Sequence, residues 1–225
     1  MNKIIILASI AVLSASMPSC KKKTNDTPAN SAQVMYVHGC AGAETLYGTA
    51  NNTQVTGATS LNIFKSSGYQ YVTAGSVGIG FTVAGINTVL AAGTKSLTVG
   101  AHYSAFAGGL LTNPSLVFAT DDLTAPASGK AGIRFVNLSP DAYRFAVNVG
   151  GAVTDSGITS QSVTAFRQVA AGSVNVRIGD PTNLNTVVDA GSRQLSSGKL
   201  YTLMLTGTSG GSGAGGYTLT MIQNN

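Results

Sequence analysis

Residues 77–81 read VGIGF and residues 174–178 read VNVRI, and in both stretches every second side chain is a large apolar one. Successive side chains of a β-strand point to opposite faces of the sheet, so this period of two predicts a strand with one buried face in each half of the chain. The same alternation recurs in FAVNV at residues 145–149, YTLML at residues 201–205 and YTLTM at residues 217–221. The sequence therefore predicts an all-β protein, because no helical periodicity of comparable length follows the amino-terminal segment.

The second half of the chain restates the first. YVTAGSV at residues 71–77 matches QVAAGSV at residues 168–174, and VMYVH at residues 34–38 matches IRFVN at residues 133–137. The offset between matching residues is 97 for the first pair and 99 for the second. A nearly constant offset of this size indicates two units of equal length and similar structure.

Short alternating runs separated by Gly, Asn, Asp, Ser and Pro at intervals of about 8 to 12 residues are typical of antiparallel β-sandwiches of the immunoglobulin type. We predict two tandem immunoglobulin-like sandwiches, the first at residues 33–122 and the second at residues 131–225, joined by a polar linker at residues 123–130. The Gly-rich stretch at residues 206–216 lies between two predicted strands, and we interpret it as a long hairpin loop.

Residues 1–19 are typical of a secretory signal peptide, because Lys3 precedes an apolar run at residues 4–13. That run is about half of the ~20 residues that a membrane-crossing helix needs. The sequence MPSC at residues 17–20 resembles a bacterial lipobox, which signal peptidase cuts before the cysteine. The resemblance implies that the Cys20 thiol carries diacylglycerol; the alternative is an ordinary thiol beside a signal peptide.

Residues 20–32 are predicted to form a lipidated, flexible tether, since KKKTNDTPANS at residues 21–31 has no apolar residue larger than Ala. Two or three acyl chains anchor a protein stably, so we expect membrane attachment through Cys20 without a spanning segment. The residue after Cys20 is Lys21 rather than Asp, which resembles lipoproteins sorted to the outer membrane of Gram-negative cells. We expect a location on the cell surface and leave the periplasmic face open.

The net charge of +5 does not indicate a nucleic-acid-binding protein. From residue 32 onward there are nine Lys and Arg against seven Asp and Glu, and the basic residues are dispersed singly. Phosphate-binding surfaces need clustered basic residues, with aromatic side chains among them when single strands are bound. Charged residues make up only 9% of the chain, against roughly 25% in ordinary soluble domains, which disfavours charge-driven disorder and Lys/Glu-rich helical enzymes.

The second half carries a resemblance to a known family. Residues 131–142 read AGIRFVNLSPDA and are followed by a Phe-x-Val-x-Val strand. This is similar to the opening of the bacterial domain of unknown function 4397, in which an apolar strand runs into Asn-x-Ser-Pro-Asp-Ala. The match is looser in the first half, where CAGA at residues 40–43 stands in place of SPDA at residues 139–142. The resemblance implies secreted or lipid-anchored β-sandwiches, often in tandem, and implies no particular activity.

The chain offers few groups for nucleophilic or metal chemistry. His38 and His102 are the only histidines, and neither lies in a Gly-x-Ser-x-Gly or His-Glu-x-x-His context. Because His38 aligns with Asn137, we interpret His38 as a residue that caps a turn through a hydrogen bond. With Cys20 acylated, Cys40 has no disulfide partner, and we expect a small buried side chain. Two histidines and one thiol in separate segments do not indicate a zinc site.

The acidic residues are scattered, so we predict neither an enzyme nor a cofactor. The tightest pair is Asp121 and Asp122 at the junction between the halves, where calcium is conceivable but two adjacent carboxylates supply only a few of its six to eight ligands. A capped linker is the simpler interpretation. Asp141 in the Ser-Pro-Asp turn is interpreted as a turn residue. The other acids lie in separate predicted turns, far from the paired arrangement of glycoside hydrolases: Glu44, Asp155, Asp180 and Asp189.

Aromatic residues offer one possible ligand platform. Most of the eight Tyr and seven Phe alternate into predicted core faces, and Tyr69 and Tyr71 are the one close pair expected to be exposed. We therefore predict a non-catalytic, lipid-anchored envelope protein that presents its sandwiches to an extracellular protein or glycan. A structural or spacer role without a ligand is the alternative, and a hydrolase would need a Ser/His or acid pair to meet in a cleft.

Overall fold

The computed structural model describes residues 28–141, 143–183 and 185–225. The described chain is built from β-strands and one turn of 3₁₀-helix at Gly213–Gly215, which confirms the all-β prediction. The first half contains β1 (Ser31–His38), β2 (Leu46–Ala50), β3 (Thr53–Gln54), β4 (Ser66–Thr73), β5 (Gly75–Val83), β6 (Val89–Leu97), β7 (His102–Leu110) and β8 (Asn113–Asp121). The second half contains β9 (Lys130–Asn137), β10 (Phe145–Val149), β11 (Ala152–Ile158), β12 (Ser162–Val163), β13 (Arg167–Ala170), β14 (Gly172–Gly179), β15 (Thr186–Leu195), β16 (Leu200–Thr206) and β17 (Thr218–Gln223).

Each half is a sandwich of two sheets. In the first, the sheet β4-β1-β7-β8 packs on the sheet β3-β2-β5-β6. The alternating run at residues 77–81 lies in β5, where Val77, Ile79 and Phe81 are buried in the core between the sheets as predicted. In the second, the sheet β12-β9-β16-β17 packs on β11-β10-β14-β15, and β13 also pairs with β9. The two sandwiches thus share one strand order.

One sheet of each sandwich contains a parallel pair, which the prediction of antiparallel sheets did not include. β1 pairs with β4 antiparallel and with β7 parallel, and β9 pairs with β16 parallel. The first strand of each sandwich thus lies in the middle of its sheet, with a neighbour on both sides. A central strand forms hydrogen bonds along both edges, so its backbone polar groups are paired. Here the central strand also places residues that are distant in sequence next to each other.

The two sandwiches are joined through the outer faces of the sheets that contain β1 and β9. A third apolar cluster lies between them, separate from the two sandwich cores: Met35, Val37, Phe106, Val117, Val136, Leu138, Met204 and Ile222. As a result β16 is buried along all of its seven residues, on both faces. The alternation at residues 201–205 marks only the face that points into its own sandwich.

Leu138 of the second sandwich packs closely against the backbone of the first. A side chain at Gly39 would begin 2.5 Å from Cδ1 of Leu138, and one at Gly108 would begin 3.0 Å from its Cδ2. The backbone N–H of Gly109 donates to the Leu138 carbonyl at 3.0 Å. The absence of side chains at Gly39 and Gly108 therefore leaves the space that Leu138 occupies. At this point the backbone of the first sandwich contacts the Leu138 side chain of the second.

The predicted boundaries need two corrections. β9 begins at Lys130, so this residue belongs to the second sandwich and not to the linker predicted at residues 123–130. β1 begins at Ser31, and Ala32 is fully buried, so residues 31 and 32 belong to the first sandwich and not to the tether predicted at residues 20–32. The reason is that β1 pairs with β4 from its first residue. The predicted signal peptide at residues 1–19, the lipid attachment at Cys20 and most of the tether lie outside the described residues. Within the described part, no helix has the length and hydropathy required to span a bilayer.

Candidate functional site

A buried ion pair stands at the centre of the contact between the sandwiches. Arg134 of β9 donates from Nη1 to Oδ1 of Asp121, the last residue of β8, at 2.6 Å. The side chains of Arg134 and Asp121 are 2% and 0% exposed. Burying two charges costs several kcal/mol per ion unless the remaining donors and acceptors are also satisfied.

Neighbouring side chains satisfy those groups. Ser104 donates to Oδ2 of Asp121 at 2.6 Å and accepts from Nη2 of Arg134 at 2.9 Å. Nε of Arg134 donates to Thr202 Oγ1 at 2.9 Å, and Thr202 in turn donates to Asn224 Oδ1 at 2.8 Å. The pair is therefore held inside a network to which both sandwiches contribute.

Aromatic rings enclose the guanidinium of Arg134. Its Cζ lies 4.6 Å from the centroid of Phe166 and 5.7 Å from that of Phe106. Cation–π attraction is strongest where the cation is removed from water, as it is here. A lysine would not reproduce this planar, stacked and multiply bonded arrangement.

The predicted platform of Tyr69 and Tyr71 is wrong for Tyr69. Tyr69 is half-buried, and its hydroxyl donates to Oδ2 of Asp121 at 2.5 Å and accepts from Asn224. Burial raises the pKa of the Tyr69 hydroxyl, and the neighbouring Asp121 carboxylate raises it further. Tyr71 is 45% exposed, so only one of the two rings is presented to solvent.

Asp121 and Asp122 have different hydrogen-bond partners, and the Asp122 carboxylate caps the linker. Both oxygens of Asp121 already accept hydrogen bonds within the buried network. Asp122 is the next residue and is exposed, and its carboxylate accepts from the backbone N–H of Thr124 at 2.9 Å. The Thr124 side chain and, to a lesser extent, that backbone bond lower the pKa of Asp122. Among the described residues no three His, Cys, Asp or Glu side chains converge as metal ligands.

His38 caps a turn, as its alignment with Asn137 predicts. Nδ1 of His38 accepts from the N–H of Cys40, two residues on, at 3.3 Å. Oδ1 of Asn137 accepts from the N–H of Ser139, also two residues on, at 3.1 Å. Since Nδ1 accepts, Nε2 carries the proton and donates to the Glu44 carbonyl at 2.9 Å. Burial lowers the pKa of His38, which favours this neutral ring.

The remaining candidate groups for catalysis lie apart. Cys40 is a fully buried free thiol, as expected, and burial raises its pKa to about 11. His102 lies on β7, with Nε2 3.2 Å from Nε2 of Gln33 and its ring against Tyr69 at a centroid distance of 5.3 Å. Asp155 and Asp189 form ion pairs with arginines of their own sandwich, and Asp155 is the more buried of the two.

Asp141 forms hydrogen bonds beyond the turn in which it was predicted to act. The turn itself forms as expected, since Ser139 Oγ accepts from the N–H of Asp141 at 3.2 Å. The Asp141 carboxylate, however, accepts from the N–H of Ser209 and from the hydroxyl of Tyr217, both at 2.7 Å. Both donors belong to the Gly-rich segment between β16 and β17, which is the hairpin loop predicted there. Asp141 thus ties this loop to the end of the second sandwich.

A cleft of about 210 Å³ opens beside that loop. Its lining residues come from the β9–β10, β14–β15 and β16–β17 connections and the strands beside them: Tyr143, Arg144, Phe145, Asp180, Val187, Ser209 and Tyr217. Tyr143 is 60% exposed and Val187 44%. Burial and the Asp141 carboxylate raise the pKa of Tyr217, so its hydroxyl stays protonated and donates to Asp141. Sequence reasoning missed this cleft, because three connections distant in sequence form it.

Comparisons with known proteins address the family and the fold. A family model described as "Domain of unknown function (DUF4397)" matches residues 32–148, which run from β1 into β10 and include the Asn137–Asp141 turn. No curated protein matches the chain. Among solved structures, the C-terminal domain of AlgF from P. aeruginosa is similar to this chain, with 24% identity and a TM-score of 0.32. The match covers 42% of this chain and 98% of that one.

Proposed function

This chain belongs to the DUF4397 family, and from that premise we propose that it is a non-catalytic, lipid-anchored protein of the cell envelope that presents two rigidly joined β-sandwiches to a protein or glycan partner. One observation carries the proposal. The contact between the sandwiches has its own apolar cluster and a buried ion pair in which each guanidinium nitrogen and each carboxylate oxygen has a hydrogen-bond partner.

Such a contact fixes the orientation of one sandwich relative to the other. Domains joined only by a linker and a small polar contact move relative to each other by default. Here Leu138 occupies the space beside Gly39 and Gly108, and Arg134 bonds to Asp121 and Ser104 of the other sandwich. The loop end of the second sandwich is thereby held in one direction relative to the start of β1, where the predicted tether enters. That arrangement suits display at a surface.

The state of the reactive groups supports a binding role over a catalytic one. A nucleophile needs a base within hydrogen-bond reach. Both ring nitrogens of His38 bond to the backbone, Cys40 is buried with a raised pKa, and Asp121 is committed to Arg134.

We also propose that the two sandwiches are copies of one domain. The matched registers support this: Met35 opposes Ser104 in the first sandwich as Arg134 opposes Thr202 in the second. A further match is the bond from the N–H of Tyr36 to Ser67 Oγ, which corresponds to the bond from the N–H of Phe135 to Thr164 Oγ1.

The anchor and the location are tested together in intact cells. The full-length protein and a Cys20→Ala variant are labelled metabolically with a fatty-acid probe and then exposed to external protease. We expect wild type to be labelled and shaved from cells, and the variant to be neither. An unlabelled wild type would refute the anchor, and a labelled but protected one would place the sandwiches in the periplasm.

A rigid spacer is the second candidate, and the same inter-sandwich contact favours it. A spacer needs fixed length and orientation but no ligand. The two functions differ at the loop end of the second sandwich, where a spacer gains nothing from the exposed Tyr143. Replacing Tyr143 with Ala should leave a spacer unaffected and should weaken a binding protein.

A further inference from the structure

The second sandwich carries a structure at its loop end that the fold does not require. In the first sandwich β7 and β8 are joined by two residues, Leu111 and Thr112. In the second sandwich the corresponding connection, between β16 and β17, is the Gly-rich loop that contains Ser209 and Tyr217. A two-residue hairpin is sufficient to join these strands, so the connection between them does not require the longer loop.

The loop is held in place by specific bonds. Asp141 binds its two sides, through the N–H of Ser209 and the hydroxyl of Tyr217. The Tyr217 ring stands edge-on against the buried Phe145 at a centroid distance of 5.5 Å. These contacts give the cleft a fixed wall in a loop whose glycines would otherwise leave it free.

The other walls combine an aromatic face with charged groups that can form hydrogen bonds. The Tyr143 ring is largely exposed, and Arg144 forms none of the ion pairs found among the described residues. Asp180 also lines the cleft, and its Oδ1 accepts from the hydroxyl and the N–H of Thr182, which lower the pKa of Asp180 and favour its ionised form. An exposed aromatic ring beside fixed polar groups is typical of a ligand site.

We propose that this cleft binds one saccharide ring of a glycan chain. Its volume of about 210 Å³ is below the range of roughly 300–1,000 Å³ for pockets that enclose drug-sized ligands, so it accepts a single ring or side chain and leaves the rest outside. A sugar ring has an apolar face for Tyr143 and hydroxyl groups for the guanidinium of Arg144 and the carboxylate of Asp180. The inference rests on the proposed function, for which it names the ligand class and the residues.

The test uses the full-length chain, purified in detergent, on an array of immobilised oligosaccharides built from neutral hexoses, N-acetylhexosamines or uronates. We expect wild type to bind at least one class and Tyr143→Ala to bind it about tenfold more weakly, which corresponds to the loss of one aromatic contact. Tyr71→Ala is the matched control, because it removes an exposed tyrosine of the first sandwich, and it should retain wild-type affinity.

Two outcomes would overturn the inference: wild type that binds no oligosaccharide above an empty surface, and equal binding by wild type and Tyr143→Ala. Neither outcome concerns the anchor, which the Cys20→Ala experiment tests separately. If the array is negative and a peptide crosslinks at Tyr143 instead, the saccharide assignment is wrong while the role in partner binding stands.

Discussion

Replacing Arg134 with Met should destabilise the whole protein, because it leaves the Asp121 carboxylate buried without its cation. Met is the appropriate replacement, since Met35 occupies the matching position of the first sandwich and lies in the same apolar cluster. Removing one partner of a buried ion pair costs about 3–5 kcal/mol. Asp121 keeps Ser104 and Tyr69 as donors, so we expect a loss of about 3 kcal/mol, at the lower end of that range.

The loss is measured by urea unfolding at neutral pH and by thermal unfolding. A domain of this size loses roughly 2–4 °C in Tm per kcal/mol, so the melting temperature should fall by about 6–12 °C. The double variant Arg134→Met/Asp121→Asn should recover most of the loss, because it leaves no buried charge. Asn is a suitable replacement, since Asn224 is the counterpart of Asp121 in the second sandwich and accepts from Thr202 as Asp121 accepts from Ser104. Arg177→Met is the control. It removes an ion pair whose side chains are 53% and 48% exposed, so the cost should be close to zero and far below that of Arg134→Met.

Two results would refute this reasoning. The first is a cost below about 1 kcal/mol for Arg134→Met, which would mean that the pair is solvated in solution. The second is a double variant as unstable as the single one, which would mean that the cost comes from lost packing and not from an uncompensated charge.

Three further predictions concern the first sandwich. The pKa of His38 is lowered in the folded protein, so the unfolded chain binds a proton at this ring more readily, and the free energy of unfolding should fall as the pH drops below about 6.5. The variant His38→Asn, which has the residue found at position 137, should show a weaker pH dependence in urea titrations at pH 7.5 and 5.5. In the Cys20→Ala variant, Cys40 is the one remaining thiol and should resist a thiol-specific reagent at pH 8 in the native state and react at once in urea; rapid native labelling would contradict its burial. Gly39→Ala should cost about 1–3 kcal/mol by calorimetry, and adding Leu138→Ala should cost less than the sum of the single changes, whereas strict additivity would show that the two sites do not touch.

The strands and the turns were predictable because each follows a local rule. Alternation at residues 77–81 and 145–149 identified β5 and β10, and the alignment of His38 with Asn137 identified a shared capping turn. The order of the strands was less accessible, since β1 pairs with a parallel partner about seventy residues away, as the register of Gln33 with His102 shows.

The contact between the sandwiches was missed because alternation reports only one face of a strand. In VMYV at residues 34–37 and in residues 200–206, apolar side chains occupy both faces. Strands buried on both sides read as such continuous runs, so the signal was present. Arg134, a charge within an apolar run, was the second signal, and its pairing with Asp121 becomes visible only when the two sheets face each other.

The distribution of charge in the inter-sandwich contact also determines which surfaces can associate. Two first sandwiches that met through this face would bury two Asp121 carboxylates with no cation between them, and two second sandwiches would bury two Arg134 guanidiniums with no anion. Only a first sandwich against a second one satisfies both groups, so the ion pair selects the correct partner even where it adds little net stability. The short connection between Asp121 and Lys130 gives the second sandwich of the same chain a higher effective concentration at this face than that of another molecule. Many copies of this protein close together should therefore remain separate molecules and should not exchange sandwiches.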